Sequence, residues 1–255
     1  LRVLTPIWNT KGDTARKIKQ RLRMVIKWSR AQGYYQGDDP VELAEQALPK
    51  QPRSDEHHKS LEFEKLPEII QQLRKSKISA PTKSALEFTI LSACRTNEVL
   101  NAQWSEIDLL KKLWIIPGKR MKAGKEHQVP LTKSMIDILN TAKKTIVSND
   151  LIFPSDINGK ILSNNTMRLA LKKRLNVDAT VHGMRSSFKV WASETTNFAN
   201  EVSEMALAHA ISNKTEAAYR RGNLMEKRRQ LMQKWDDYLN NKNVKVIEFY
   251  KTMEI

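Results

Sequence analysis

Apolar residues recur every three or four positions along nearly all of this 255-residue chain, and strict alternation is confined to one stretch between about residues 107 and 131. A period near 3.6 buries one stripe of a helix, and a period of 2 buries one face of a strand. The pattern therefore predicts a mainly α fold carrying one small antiparallel β-sheet. In the first helix Asp13 reads as the N-cap and Gly33 as the stop, with Ile18, Leu22, Val25 and Ile26 as a buried stripe. A short helix over 41–48 follows Pro40. The polar stretch 53–60 has no periodicity and reads as a linker between residues 1–52 and 61–255, with His57 and His58 solvated within it.

Beyond the linker, Leu66, Ile69, Ile70 and Leu73 form one helical stripe, and Leu86, Ile90 and Leu91 mark a buried helix that starts near Pro81. Thr96 is the expected cap of a short helix ending near Ala102. Strands are expected over 113–116 and 127–131, with a third short one at 107–108 and a tight turn at Ala123-Gly124-Lys125. Helices are expected to resume at Thr132 or Lys133, at Ser163, at His182 and near Phe198. A last one runs from Leu224 to about Asn240, with Leu231, Trp235 and Tyr238 on its buried face.

The chain carries 44 Lys and Arg against 28 Asp and Glu, a formal charge of +16, and a pI near 9.9. This excess favours a polyanionic partner, nucleic acid or an acidic membrane surface. Eight basic residues and one acid fall between Lys11 and Arg30, and Arg16, Lys19, Arg23, Lys27 and Arg30 lie mostly off the apolar stripe. One cysteine, Cys94, excludes an intrachain disulfide and a cysteine-based zinc site. No apolar run reaches the ~18 residues of a membrane span, and the start has no signal-peptide pattern. A first residue other than methionine reads as a fragment of a longer protein.

Four features bear on chemistry: Arg95 directly after a buried apolar helix, Lys122 in the hairpin, His182 and Arg185 at i, i+3, and His209 ten residues before Tyr219. Each alone has an ordinary structural explanation, as a snorkelling cation, a solvated turn lysine, a chance pair or a packed ring. Together they suit phosphoryl transfer from a DNA backbone. Forked guanidinium donors stabilise charge on the non-bridging oxygens. A tyrosine of pKa near 10 needs a base or a positive field to attack, and a lysine could protonate the departing oxygen. No acidic cluster suited to a two-metal nuclease is evident, which points to a route without metal or cofactor.

The stretches LSACRTNEVLNAQWSEIDL, WIIPGKRMKAGKEHQVPLT, VHGMRSSFKVWASE and MALAHAISNKTEAAYRRGN, spanning Leu91 to Asn223, resemble the tyrosine recombinases, the phage integrase family, and most closely integrases of prophages and genomic islands. The resemblance implies that Arg95 and Arg185 hold the scissile phosphate and that His209 hydrogen-bonds a non-bridging oxygen. It implies His182 as a base toward Tyr219, Lys122 as the general acid on the 5′ oxygen, and Tyr219 as the nucleophile giving a 3′-phosphotyrosyl link. Glu98 fits an acid orienting Arg95 or His182. Ala93 stands where the family often has glycine, from which only slightly different packing is expected.

The same resemblance implies that residues 1–52 are the C-terminal part of a helical core-binding domain, that 61–255 are the catalytic domain, and that an amino-terminal arm-binding domain is missing. The basic residues of the first helix would then contact the phosphate backbone, both domains clamping the duplex. Expected partners are double-stranded attachment-site DNA and further copies in a tetrameric synapse, with room for accessory DNA-bending or excision proteins. The expected location is the bacterial cytoplasm. The tail with Val244, Val246 and Phe249 is expected to dock as a strand or short segment, either on its own subunit or on a neighbouring one. Two alternatives remain: a type IB topoisomerase-like enzyme that relaxes DNA, and a non-catalytic DNA-binding protein on the same fold.

Overall fold

The computed structural model describes residues 1–51, 59–145, 150–209 and 222–241. The expected tail segment, His57, His58 and Tyr219 lie outside the described residues. The chain divides into two compact units, Leu1–Glu56 and His57–Ile255. Among the described residues no helix is long and apolar enough to cross a membrane.

The first unit contains α1 (Thr5–Trp8), α2 (Gly12–Ala31) and α3 (Pro40–Ala47). Leu4, Trp8 and Ala15 form its small core, and the Trp8 indole donates to the Pro49 carbonyl at 2.7 Å. Asp39 caps α3 by accepting from the Val41 amide at 2.9 Å. Two expectations about α2 are corrected. Asp13 is not its cap but sits in the first turn, where it pairs with Arg16 and faces the positive end of the helix dipole. The predicted stripe is not buried along its length, because Leu22 is 42% and Val25 59% exposed. A 20-residue helix is about 30 Å long, whereas α1 and α3, which pack against it, have only four and eight residues. Among the described residues of this unit, the buried contacts of α2 fall in its first half, at Ala15 and Ile18. Gly33, at φ +76°, ends the helix as expected.

The second unit is built around α5 (Ala80–Ser92), whose residues from Ala85 to Ser92 are all buried, the polar Glu87, Thr89 and Ser92 among them. Around it pack α4 (Leu66–Lys75), α6 (Thr96–Leu100), α7 (Lys133–Thr145), α8 (Asn164–Leu169) and the C-terminal helix α11 (Met225–Leu239). The remaining helices, α9 (Gly183–Thr195) and α10 (Asn200–Ala206), close the core with α11. Trp235 of α11 donates to the Ile90 carbonyl at 3.0 Å and packs tilted against Trp191 of α9, ring centroids 4.8 Å apart. Asp236 caps α7, accepting from the Ser134 amide at 3.0 Å and its hydroxyl at 2.6 Å.

The alternating stretch forms the expected antiparallel sheet, β1 (Ile107–Asp108), β2 (Leu113–Ile116) and β3 (His127–Pro130), in that order. Trp114 pairs with Val129 and Ile116 with His127. The β2–β3 connection is tight. A Cβ on Gly118 would lie 2.5 Å from the Gly124 carbonyl oxygen, and Gly124 itself has φ +68°. Both positions demand glycine.

Candidate active site

The site forms where α5, α9 and α10 end or begin. Helix α5 stops at Ala93, whose φ of +51° and ψ of 24° put it in the left-handed region. Cys94 follows, buried, with its thiol pushed up to about 12 chiefly by that burial, so it is an inert packing group. Arg95 then takes an extended conformation and occupies the cap position of α6. Thr96 is therefore the first helical residue and not the cap. Glu98, one turn on, supplies the cap instead. Its carboxylate accepts from the Arg95 amide at 2.7 Å and from Arg95 Nη1 at 2.9 Å. Of its two expected partners, Glu98 thus holds Arg95.

The left-handed Ala93 refines the expectation that alanine for glycine alters only packing. Glycine removes the ~1–2 kcal/mol cost of a Cβ in αL, but it loses a buried methyl worth ~0.8 kcal/mol and adds unfolded-state entropy. Ala93→Gly should therefore change unfolding free energy by less than ~0.5 kcal/mol in urea titration. Ala93→Val, with a branched side chain forced to φ > 0 in a packed core, should lose ~2 kcal/mol or more. Equal midpoints for the two variants would refute this account.

Arg185 lies in the first turn of α9, 5% exposed. It donates to the Ala93 carbonyl, to the Leu207 carbonyl at 2.7 Å, and approaches His209 Nε2 at 3.4 Å. Arg95 Nη2 reaches the Ala208 carbonyl at 3.5 Å. The α10 end is thus met by both guanidinium groups. The carbonyls of Leu207 and Ala208 are ones that the end of a helix leaves unpaired, and cations are favoured there.

Arg185 is a cation that, among the described residues, donates to two backbone carbonyls and to no carboxylate. Burial lowers its pKa, and nearby Arg95 lowers it further, against an opposite pull from Glu98. Arg228 of α11 is similarly buried and donates to the Gln128 carbonyl, with its pKa pushed down to about 10 by burial. Burial, and then Arg228, holds His127 down to about 3, so its ring is neutral. Among the described residues Arg95 has a bonded carboxylate in Glu98, whereas Arg185 and Arg228 have none, and an oxyanion relieves that excess of positive charge.

His209 is held from behind. Its Nδ1 lies 2.7 Å from Glu204 Oε2, and Glu204 Oε1 lies 2.7 Å from Lys189. A ring that donates from Nδ1 turns Nε2 toward Arg185 and solvent. His182 stands at the cap position of α9, before the helix and not within it as the i, i+3 spacing suggested. With Arg95 it lines an open concavity of about 370 Å³. Lys122 is exposed at the β2–β3 turn.

The structure thus brings Arg95, Glu98, Arg185 and His209 together and places His182 beside Arg95. Sequence reasoning missed Glu204, Lys189, Arg120, His127 and Arg228, whose contacts join segments distant in sequence or break helical spacing. In the first unit, Lys19 pairs with Glu45 at 2.5 Å, and Arg23 pairs with the same carboxylate. With Arg16 paired to Asp13, Lys27 and Arg30 are the members of the predicted basic set that remain exposed without such a pair.

A profile of the phage integrase family matches residues 59–225. The integrase of Enterobacteria phage P4 is 28% identical over 91% of this chain and 56% of its own length. The prophage integrase IntA of Escherichia coli K12 is 30% identical over 88% of this chain and 54% of its own. The chain spans about half the length of these relatives. Among solved structures, a lambda integrase dimer bound to a COC′ core site superposes with a TM-score of 0.58 at 19% identity, covering 84% of this chain and 60% of that one. At that identity the likeness speaks for the fold.

Proposed function

The chain belongs to the phage integrase family, and from that premise we propose that it is a site-specific DNA recombinase that cuts and rejoins strands through Tyr219. The observation that carries the reading is the convergence of Arg95, Arg185 and His209 on one site with an excess of positive charge. Such a site suits a phosphodiester. Two guanidinium groups and His209 take the non-bridging oxygens. His182 accepts the Tyr219 proton, and Lys122 protonates the departing 5′ oxygen. The Tyr219 oxygen bonds phosphorus as the P–O5′ bond breaks, leaving a 3′-phosphotyrosyl link that a free 5′ hydroxyl later reverses. Glu98 holds Arg95 in place.

In this reading residues 1–52 are the C-terminal part of a core-binding domain, with Lys27 and Arg30 the foremost phosphate contacts of α2, 53–60 a linker and 61–255 the catalytic domain. Double-stranded attachment-site DNA is the partner, and copies assemble on it into a synapse. The location is the bacterial cytoplasm, on the nucleoid during recombination. The test is incubation with a duplex carrying the attachment core, in EDTA, followed by a denaturing gel. A covalent protein–DNA band is expected. Sequence-independent binding with no such band on any core duplex would favour the non-catalytic reading.

A further inference from the structure

We propose that Arg120 is a positioning residue that sets the Lys122 turn against the Arg95 segment. This rests on the roles given to Lys122 and Arg95 above. Arg120 lies two residues before Lys122 and closes the single helical turn Gly118–Arg120. Its Nη1 lies 2.5 and 2.7 Å from the two carboxylate oxygens of Glu106, and its Nη2 donates to the Glu98 backbone carbonyl. Glu98 is the residue whose carboxylate grips Arg95. One guanidinium therefore spans from the hairpin to the residue that holds the phosphate-binding arginine.

The anchor itself is fixed. Glu106 is buried and also accepts from the Trp114 indole at 3.0 Å and from the Gln103 amide at 3.3 Å. A simpler role, as counter-ion to a buried carboxylate, accounts for the Glu106 contacts alone. It does not account for Nη2 on the Glu98 carbonyl, which needs the planar fork that lysine lacks. Beyond Arg120 the turn is held by its own backbone: the Met121 amide donates to Gly118 and the Gly124 amide to Met121, both at 3.0 Å. Lys122 sits inside that closed turn, so the orientation of the turn on its base sets where the ammonium points. A general acid displaced by an ångström loses most of its assistance.

Two variants test this. Arg120→Lys keeps a cation for Glu106 but cannot reach both anchors. Arg120→Met with Glu106→Gln removes the ion pair without leaving a buried charge. Each is compared on duplexes with oxygen or sulfur at the bridging 5′ position, and amide exchange is followed at Met121 and Gly124. The expected result is cleavage about 10²-fold slower on the oxygen substrate and restored on the sulfur one, as for loss of a general acid. Met121 and Gly124 should lose protection while α5 and α9 keep theirs. An unchanged rate, equal slowing on both substrates, or unchanged protection at the two amides would overturn the proposal. If the unaltered chain forms no adduct on either substrate, the recombinase reading fails instead, and the amide protection still decides whether Arg120 holds the turn.

Discussion

Tyr219→Phe should leave no covalent protein–DNA adduct on any substrate, while binding to the same duplex is retained. The change removes one hydroxyl and no charge, so the electrostatic attraction to phosphate is untouched. The other side chains proposed for the site position, deprotonate or protonate, and none of them is proposed to replace the attacking oxygen. Rescue by sulfur at the leaving position is not expected either, because a better leaving group does not supply an absent nucleophile. An adduct of full intensity from the phenylalanine variant would move the nucleophile to another residue.

Lys122→Ala should behave in the opposite way. Loss of a general acid typically costs ~10²–10⁴ in rate, and the cost falls on the leaving group. A 5′ thiolate, with a conjugate acid of pKa about 8.5 for a cysteine-like thiol, departs with little need for a proton. The alanine variant should therefore be slow on the oxygen substrate and largely restored on the sulfur one. Equal slowing on both would make Lys122 a phosphate contact, and His182 would be the next candidate for the acid.

The two halves of the chain differ in how much of their structure could be read from sequence. Helices α4 and α11 carry apolar residues at full helical period and pack on a large core, so Ile69, Ile70, Leu73, Leu231 and Trp235 are buried as expected. Helix α2 has the same periodicity, yet Leu22 and Val25 are exposed, because a stripe is buried only where another element covers it. Local cap rules named a residue of the right type in the wrong place: Asp13 lies inside α2, and Thr96 follows the cap that Arg95 and Glu98 make together. At the site, Arg95 and Glu98 are close in sequence and their pairing was within reach of spacing arguments. The contacts of Arg185 with Ala93 and of Arg120 with Glu98 join residues that only the tertiary fold brings together. Tyr219 lies outside the described residues, and its role rests on the resemblance carried by the motif around it.

The end of α10 has a consequence for how a ligand is received. Leu207 and Ala208 hold the two arginines by backbone oxygens, which neither titrate nor carry a full charge. In the proposed reading, a phosphate arriving at Arg185 meets, among the described residues, no carboxylate bonded to that guanidinium. The guanidinium is already oriented by these carbonyls, which in the proposed reading leaves little reorganisation between encounter and a reactive complex. The helix terminus acts as a neutral cradle. A carboxylate introduced within reach of Arg185, by contrast, would turn the same cradle into a built-in competitor for its own substrate.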